Sequence, residues 1–284
     1  MDKAISNNIK ELRKLNKYTQ KQLASILGVA QTTIANYEKG IRVPDAEMLQ
    51  KIADIFNVSI DYLIGRKKVV NFNIDEVEKN HTIYLNYLLK GDNKDAQHYI
   101  NHLVDNGMDI EKIYFNIFEK TLIEVGLLWE TGKIDIWKEH FISEIILDTM
   151  KEVKSKVERL ENMPYCIIGI TAGPELHNIG IKMILDLLDL RGFSTIYLGS
   201  ILPIYSLIDA IKVNKPDMII ISVTMWQYIE SARLVIKAIK EAFPENTLKI
   251  VVGGAAFKDN PNLGISIGAD KYCLTLKDIL EILK

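Results

Sequence analysis

Apolar residues change their spacing along the chain, and the changes divide it into three regions. Between residues 5 and 64 they recur every three to four positions in short blocks, which predicts short helices joined by tight turns. Residues 74–161 keep the helical spacing over longer blocks. The helices expected there run over about 75–89, 93–105, 109–130 and 135–160. Short loops between four such helices favour an up-down four-helix bundle.

From residue 165 short β-rich runs alternate with helical stretches. The expected strands are Cys166–Ile170, Thr195–Leu198, Met218–Ser222, Lys249–Val252 and a weak one at Lys271–Leu274. The helices expected between and after them lie at about 178–191, 204–214, 228–243, 260–267 and 276–283. This alternation predicts a Rossmann-like (flavodoxin-like) α/β domain with a parallel sheet covered on both faces. Ligands of such sheets bind beyond the carboxyl ends of the strands.

The predicted chain is therefore multidomain. We place an all-α head at 1–68, a four-helix bundle at 74–161 and an α/β domain at 164–284. Arg66-Lys67-Lys68 ends the head, and Val69–Asn73 is expected to be a linker.

Composition narrows the class of protein. Over 284 residues, 48 % hydrophobic and 25 % charged positions are the balance of a globular chain. No apolar run approaches the roughly 18 residues of a membrane span, and Met1–Ala4 begins no signal peptide. Two cysteines exclude a disulfide framework and a cysteine-based zinc site. These features predict a cytoplasmic protein.

The charges are unevenly distributed between the head and the rest of the chain. Residues 1–68 hold twelve Lys/Arg and seven Asp/Glu, a net charge of +5. Residues 69–284 hold 23 Lys/Arg and 30 Asp/Glu, a net charge of −7. A basic head on an acidic body indicates that the head meets an anion such as nucleic acid.

Two helices of the head carry clear end signals. Thr19 is an N-cap residue before a helix over Gln20–Leu27, which Gly28 ends. The next helix runs over about Gln31–Lys39 and stops at Gly40. The face expected to join the two helices is made of Leu23, Ala24, Leu27, Val29 and Ile34. Two helices separated by a tight turn form a helix-turn-helix.

The pattern Gln20-x-x-Leu23-Ala24…Leu27-Gly28-Val29-x-Gln31-x-x-Ile34-x-x-Tyr37-Glu38-x-Gly40 resembles the phage-repressor (Cro/C1, XRE-type) helix-turn-helix family. The resemblance covers roughly residues 5–65 and implies a double-stranded DNA operator and a homo-oligomer, since such modules usually bind as dimers. Residues implied to face bases are Gln31, Thr32, Thr33 and Asn36. Residues implied to contact phosphate are Gln20, Tyr37, Lys39 and Arg42. The alternative is that these polar residues form only a solvated helix face.

In the middle region, Trp129 closes the third predicted helix and Glu139-His140 opens the fourth. Across a tight turn these residues can lie at the same end of a bundle, although a packing tryptophan and an ordinary histidine fit the pattern too. His98 and His102, four apart on one helix face, are an alternative metal pair for which no third ligand is evident.

The loops at the strand ends carry the candidate chemistry. The first strand runs into Glu175-Leu176-His177-Asn178-Ile179-Gly180. A histidine with a carboxylate two residues before it suits an axial metal ligand, because the carboxylate can accept the far imidazole N–H. The fourth strand ends in Gly253-Gly254, which clears space beside the backbone. Taken singly, these features also fit a structural loop histidine and an ordinary turn.

Together these elements resemble a cobalamin-binding domain. The family's Asp-x-His-x-x-Gly motif reads Glu175-Leu176-His177-Asn178-Ile179-Gly180 here, and its Gly-Gly element matches Gly253-Gly254. Its Ser-x-Leu element matches in part as Ser222-Val223-Thr224, and Leu198-Gly199-Ser200 fits its glycine-containing loop. A preceding four-helix cap is typical of the methionine-synthase-like subgroup, so the resemblance extends over about 75–284.

The resemblance implies a role for each matching residue. His177 would be the lower cobalt ligand and would displace the dimethylbenzimidazole base, which Ser222 would contact. Gly180, Gly253 and Gly254 would make room for the nucleotide tail. Two departures from the family pattern are Glu175 in place of Asp and Thr224 in place of Leu.

Trp129, nine residues and then Glu139-His140 resembles the signature of the CarH-like cobalamin photoreceptors, which usually carry a MerR-type head instead. The resemblance implies a repressor that uses adenosylcobalamin as chromophore, with Trp129 and Glu139 packed around the adenosyl group. Light would cleave the cobalt–carbon bond, His140 would become the upper ligand, and oligomeric state and DNA binding would change. Methylcobalamin or hydroxocobalamin is an alternative cofactor form.

Three other functions stay open at this point. The chain can be a corrinoid sensor that does not use light, or a corrinoid carrier for methyl transfer with a fused regulatory head. The α/β domain can also bind a different small molecule. No catalytic acid–base set is visible in the sequence, so we expect a regulator rather than an enzyme.

Overall fold

The computed structural model describes residues 2–16, 18–56, 60–64, 74–245 and 247–283. They belong to two compact units, Met1–Glu124 and Val125–Lys284. The predicted end of the head at Arg66-Lys67-Lys68 and the predicted linker Val69–Asn73 lie outside the described residues.

The head is helical, as predicted. Its helices are α1 (Asp2–Leu15), α2 (Gln20–Leu27), α3 (Gln31–Glu38), α4 (Ala46–Phe56) and α5 (Ile60–Leu63). The Thr19 side chain caps α2 in a reciprocal capping box with Gln22, and Gly28 ends the helix in a left-handed conformation. The predicted face between α2 and α3 is buried at Leu23 and Ile34, which pack into a core that α1 completes. The helix-turn-helix prediction is therefore confirmed.

The helices predicted for the middle of the chain are also present. They are α6 (Ile74–Lys90), α7 (Asn93–Asp105), α8 (Ile110–Lys112) and α9 (Lys120–Glu130), with a π-helical segment at Ile113–Glu119 between α8 and α9. The sequence periodicity did not reveal this widened segment. Its buried side chains Tyr114 and Phe118 pack with their rings 5.7 Å apart, and α6 packs against both α7 and this segment.

The fourth helix, α10 (Ile136–Lys156), ends earlier than the predicted residue 160. Val157 is extended, and Leu160, predicted to continue the apolar stripe, is exposed. Backbone hydrogen bonds from Leu160 N–H to the Leu190 carbonyl and from Met163 N–H to the Gly192 carbonyl hold this segment against the second unit's α/β fold. These tertiary bonds replace the last helical turn.

The α/β domain contains a five-stranded parallel sheet. Its strands are β1 (Cys166–Thr171), β2 (Ser194–Tyr197), β3 (Met218–Ser222), β4 (Lys249–Gly253) and β5 (Lys271–Tyr272), in the order β2-β1-β3-β4-β5. The helices are α11 (Ile179–Leu190), α12 (Ile204–Asn214), α13 (Ile229–Ala242), α14 (Pro261–Ser266) and α15 (Leu276–Ile282), with 3₁₀ turns at Trp226–Tyr228 and Ala255–Phe257. β1, β3 and β4 are buried isoleucine- and valine-rich runs, as expected when helices cover both faces, whereas the edge strands β2 and β5 are short and less buried. The multidomain fold class predicted from the sequence is confirmed.

No helix in the described ranges is long and apolar enough to cross a membrane.

Candidate functional site

The order of the strands places the candidate loops next to each other. β1 pairs with β2 on one side and with β3 on the other, so the chain reverses its direction of travel across the sheet between β1 and β3. In an open parallel sheet the crevice at such a switch point is where ligands bind. The loops that follow β1 and β3 both open at this point, at the carboxyl edge of the sheet.

Glu175 joins these two loops. It follows β1 and is fully buried. One carboxylate oxygen, Oε2, accepts hydrogen bonds from the backbone N–H groups of Thr224 at 2.8 Å and Met225 at 3.0 Å, just after β3. The other, Oε1, lies 2.5 Å from Nδ1 of His177. A buried carboxylate thereby fixes both the β3 loop and the orientation of the imidazole.

This arrangement leaves His177 prepared to bind a metal. Because Glu175 accepts the Nδ1–H bond, the lone pair of a neutral ring is on Nε2. The side chain of His177 is 61 % exposed, whereas that of Glu175 is fully buried. The donor set is therefore one exposed imidazole nitrogen, whose ring is oriented by the buried carboxylate at its other nitrogen.

A third loop is connected to the other two. The Thr171 hydroxyl at the end of β1 forms 3.0 Å hydrogen bonds with the Glu175 carbonyl and with the hydroxyl of Ser200, which follows β2. The N–H of Ile201 donates to the Gly173 carbonyl at 3.2 Å. The loops after β1, β2 and β3 thus form one hydrogen-bonded assembly.

The same three loops expose large apolar side chains. Leu176, Ile201 and Trp226 are 69 %, 62 % and 75 % exposed. We call them the apolar loop residues. Exposed apolar side chains beside an exposed imidazole fit a large, mostly apolar ligand that carries its own metal better than a hydrated metal ion.

The other cofactor residues predicted in the α/β domain also lie at the carboxyl edge. Gly180 is exposed in the first turn of α11, and no atom lies within 4 Å of the position that a Cβ would occupy there. Ser222 ends β3 and is partly buried, while Thr224 holds Glu175 through its backbone. Gly253 ends β4 and pairs with Ser222.

The fold itself requires a glycine at position 254. Its φ is +104°, and a Cβ would lie 2.3 Å from the Val223 carbonyl oxygen. Only glycine fits this close approach between the loops after β3 and β4.

Trp129, Glu139 and His140 occupy the end of α9 and the first turn of α10. Trp129 is 43 % exposed. Glu139 accepts a 2.9 Å hydrogen bond from the Ser143 hydroxyl, and its other oxygen lies 3.5 Å from Nε2 of the exposed His140. Both the tryptophan and the histidine are therefore accessible to a ligand.

The alternative metal pair is not supported. Burial lowers the pKa of His102 to about 4, and the Asn106 amide lies 2.9 Å from its Nδ1, whereas His98 is exposed. Among the described residues, no group of three or more His, Cys, Asp or Glu side chains can hold a metal ion.

In the head, the residues predicted to face DNA bases lie along α3. Gln31 and Thr32 are exposed, and Thr33 and Asn36 are partly exposed. Lys39 and Arg42 are exposed just beyond the helix.

Two of the residues predicted to contact phosphate, Gln20 and Tyr37, also have partners within the head. The Gln20 amide donates to Glu38 Oε2 at 2.9 Å, and Arg13 contacts the same carboxylate at 2.5 Å. Burial tends to raise the pKa of Glu38, but the hydrogen bonds from Arg13 and Gln20 outweigh burial and hold the pKa below its ordinary value. Tyr37 is buried in the core of the head.

Sequence reasoning missed the backbone of Met225, the Thr171–Ser200 bond and the apolar loop residues. Sequence motifs are defined by side-chain type, so they cannot reveal a backbone N–H that acts as a hydrogen-bond donor. The position of Trp226 in the loop that follows a predicted buried strand was a usable signal, because a large apolar side chain in a strand-end loop has no core to fill.

Comparison with known proteins identifies three matching family descriptions. A "Helix-turn-helix" family matches residues 9–63. Families described as "B12 binding domain" match residues 82–154 and residues 165–283.

Some relatives are similar to the helix-turn-helix part of the chain, and others are similar to the B12-binding part. The HTH-type transcriptional regulator ImmR of Bacillus subtilis is 37 % identical over 70 residues, which are 25 % of this chain and 55 % of that protein. Trimethylamine corrinoid protein 1 of Methanosarcina acetivorans is 25 % identical over 179 residues, which are 62 % of this chain and 82 % of that protein. The chain thus spans about half the length of the regulator and most of the corrinoid protein.

The monomethylamine corrinoid protein of Methanosarcina barkeri has a similar fold, with a TM-score of 0.62 and 16 % identity. The match covers 72 % of this chain and 97 % of that one. The chain therefore combines a helix-turn-helix domain with B12-binding domains, and this combination supports a corrinoid cofactor.

Proposed function

We propose that this chain, which joins a helix-turn-helix domain to B12-binding domains, is a cobalamin-dependent transcriptional regulator that responds to light through adenosylcobalamin. The observation that carries the proposal is the exposed His177 imidazole, fixed at Nδ1 by the buried Glu175 at the carboxyl edge of the sheet. The exposed Gln31 and Thr32 on α3 support the DNA-binding part. The resemblance of Trp129, Glu139 and His140 to the CarH-like signature supports the light-sensing part.

The residues present fit cobalamin. His177 Nε2 would hold the cobalt from below, and Glu175 would keep Nδ1 protonated and the ring oriented. The apolar loop residues suit a corrin macrocycle, and the open space at Gly180 suits its nucleotide tail. When bound, adenosylcobalamin supplies a cobalt–carbon bond that light can break. The exposed Trp129 would pack against the adenosyl group, and the exposed His140, a good metal ligand when neutral, would be a second residue able to hold the cobalt.

Regulation in this proposal is a change in conformational preference rather than a catalysed reaction. A ligand shifts an equilibrium only by its differential affinity for the two states. Trp129 and Glu139 would contact the adenosyl group of the bound cofactor, and a change in those contacts would alter oligomeric state and DNA binding. The protein would act in the cytoplasm as an oligomeric repressor, and not as an enzyme.

The test is an absorption spectrum of the full chain loaded with adenosylcobalamin in the dark, freed of unbound cofactor and then illuminated with green light. The proposal expects retained cofactor, a base-off spectrum with histidine coordination and an irreversible change on illumination. Retained cofactor with a spectrum that light does not alter would leave a corrinoid sensor. Failure to retain any cobalamin would remove the assigned site.

The matched variants for this test are His177→Ala and His98→Ala. Removing the ligand at His177 should weaken cobalamin binding by more than about tenfold, or leave the cofactor's own base on the cobalt. His98 is an exposed histidine on α7 that has no assigned role in cofactor binding, so its replacement should leave affinity and spectrum unchanged. Equal behaviour of the two variants would contradict the role of His177.

A corrinoid carrier is the second candidate function, because proteins named as methylamine corrinoid proteins match a large part of this chain. This function expects methylcobalamin to be demethylated by a partner methyltransferase, with DNA binding unaffected by the cofactor. If the chain is a regulator, no methyltransferase should demethylate its cofactor, and the cofactor should change DNA binding.

A further inference from the structure

Ile201 has a backbone conformation that its type of side chain disfavours. It lies between β2 and α12 with φ at +59°, in the left-handed region. A β-branched residue crowds its own backbone there, so such a conformation persists only where surrounding contacts enforce it. Among the described residues, the other non-glycine with positive φ is Lys215, which ends α12 as an ordinary left-handed C-cap.

Two hydrogen bonds fix the backbone at and just before this residue. The Ile201 N–H donates to the Gly173 carbonyl, and the hydroxyl of the preceding Ser200 bonds to Thr171. Both partners belong to β1 or to its loop, which continues to Glu175 and His177. The strained residue is thus fixed to the loop that carries the metal-binding imidazole.

Burial of the side chain does not account for the strain. The Ile201 side chain is 62 % exposed, so little of the apolar surface that could offset the strain is buried within the chain. A residue that is both strained and largely exposed contributes little to the stability of the folded protein without its cofactor. Strain of this kind collects at functional sites, where it fixes the direction of a group that contacts a ligand.

We propose that Ile201 is a corrinoid-binding residue, held in its left-handed conformation so that its side chain forms part of the surface that the macrocycle contacts. The inference rests on the proposed function. It commits to a bound corrinoid as the occupant because the other apolar loop residues adjoin the same site. Leu176 lies between Glu175 and the metal-binding His177 in sequence. Trp226 follows Met225, whose N–H donates to Glu175. The contribution of Ile201 to affinity should then exceed its contribution to the stability of the apo protein.

The experiment measures the affinity for hydroxocobalamin, which carries no photolabile alkyl group, and the melting temperature of the apo full chain. Ile201→Asn and Ile201→Gly tolerate the left-handed conformation but lack the apolar side chain. Both should weaken binding by about fivefold or more, while the apo melting temperature does not fall. Ile201→Leu keeps the apolar surface without branching at Cβ and should retain affinity within about twofold.

Lys215→Gly is the matched control, because it also relieves a positive φ but lies at the amino-terminal side of β3. It should leave the affinity unchanged. The proposal is overturned if Ile201→Asn binds hydroxocobalamin as tightly as the original chain, or if both the Asn and Gly variants melt at a lower temperature. If the original chain binds no cobalamin, the proposed function fails as well. That result differs from one in which the original chain and the Ile201 variants all bind cobalamin equally tightly, which contradicts only the role of Ile201.

Discussion

Glu175 is a carboxylate with no exposed surface, a position that costs free energy unless every oxygen is compensated. Its two oxygens meet three donors: the imidazole of His177 and the backbone N–H groups of Thr224 and Met225. Charge-assisted bonds of this kind are roughly twice as strong as neutral ones. One residue therefore supports both the fold of the switch-point loops and the orientation of the metal ligand.

Replacing this carboxylate should affect stability and cofactor binding separately. Glu175→Ala leaves two backbone donors without an acceptor, so we expect a loss of about 1–3 kcal/mol in the free energy of unfolding and weak cobalamin binding. Glu175→Gln keeps one acceptor oxygen and should lose less stability. Urea unfolding of the apo chain and cobalamin titration check both expectations. Glu144→Ala, an exposed carboxylate on α10, is the control, and an equally small effect of both alanine variants would contradict the role of Glu175.

At the scale of elements, the end of α10 is held to α11 by a cluster of charges. Lys154 Nζ lies 2.8 Å from both Asp186 Oδ1 and Asp189 Oδ2, and Arg159 Nε donates to Asp189 Oδ1 at 3.0 Å. Because α10 carries Glu139 and His140 and α11 begins directly after the His177 loop, the cluster connects the two helices that hold the candidate cofactor residues.

This charge cluster should make the stability of the second unit depend on acid pH. Burial of Asp189 tends to raise its pKa, but hydrogen bonds from Lys154 and Arg159 outweigh burial and hold the pKa below its ordinary value. A lowered pKa in the folded state contributes stability above the unfolded pKa of about 3.9, and this contribution is lost as pH falls through the folded pKa.

Lys154→Met should therefore cost about 1 kcal/mol in the free energy of unfolding at pH 7, and the cost should shrink as pH falls below about 4. Urea unfolding at pH 7 and pH 3 measures it. Lys212→Met, at an exposed position of α12, should show no such dependence on pH. A cost for Lys154→Met that is the same at both values would refute the assignment.

The sequence predicted elements better than it predicted contacts. Period and end signals located β3 and α12 to the residue, because buried strands and capped helices are specified locally. The end of α10 was placed too late because Leu160 is held by the distant Leu190 carbonyl, a contact that no local pattern contains. At the site, the Glu175–His177 pair was predictable from spacing, whereas the Met225 N–H and the strained Ile201 depend on how three loops meet.

At the scale of the whole molecule, the question is whether the cofactor site and the DNA-binding head share one conformational equilibrium. If they do, the coupling is a free energy that acts equally in both directions. A cobalamin that changes DNA affinity by some factor must then have its own affinity changed by DNA by the same factor. Couplings of this kind are typically about 5- to 150-fold.

Four dissociation constants test this equality in the full chain: cobalamin with and without DNA, and DNA with and without cobalamin, all in the dark. The duplex is first selected from a random library by the protein itself. Gln31→Ala should weaken DNA binding about 5- to 150-fold in both cofactor states, because it removes a base contact without altering the coupling. His177→Ala should instead bring the ratio of the two DNA affinities close to one. A ratio of one in the unmodified chain would mean that its corrinoid site and its DNA-binding head act independently, as expected for a carrier with a fused head.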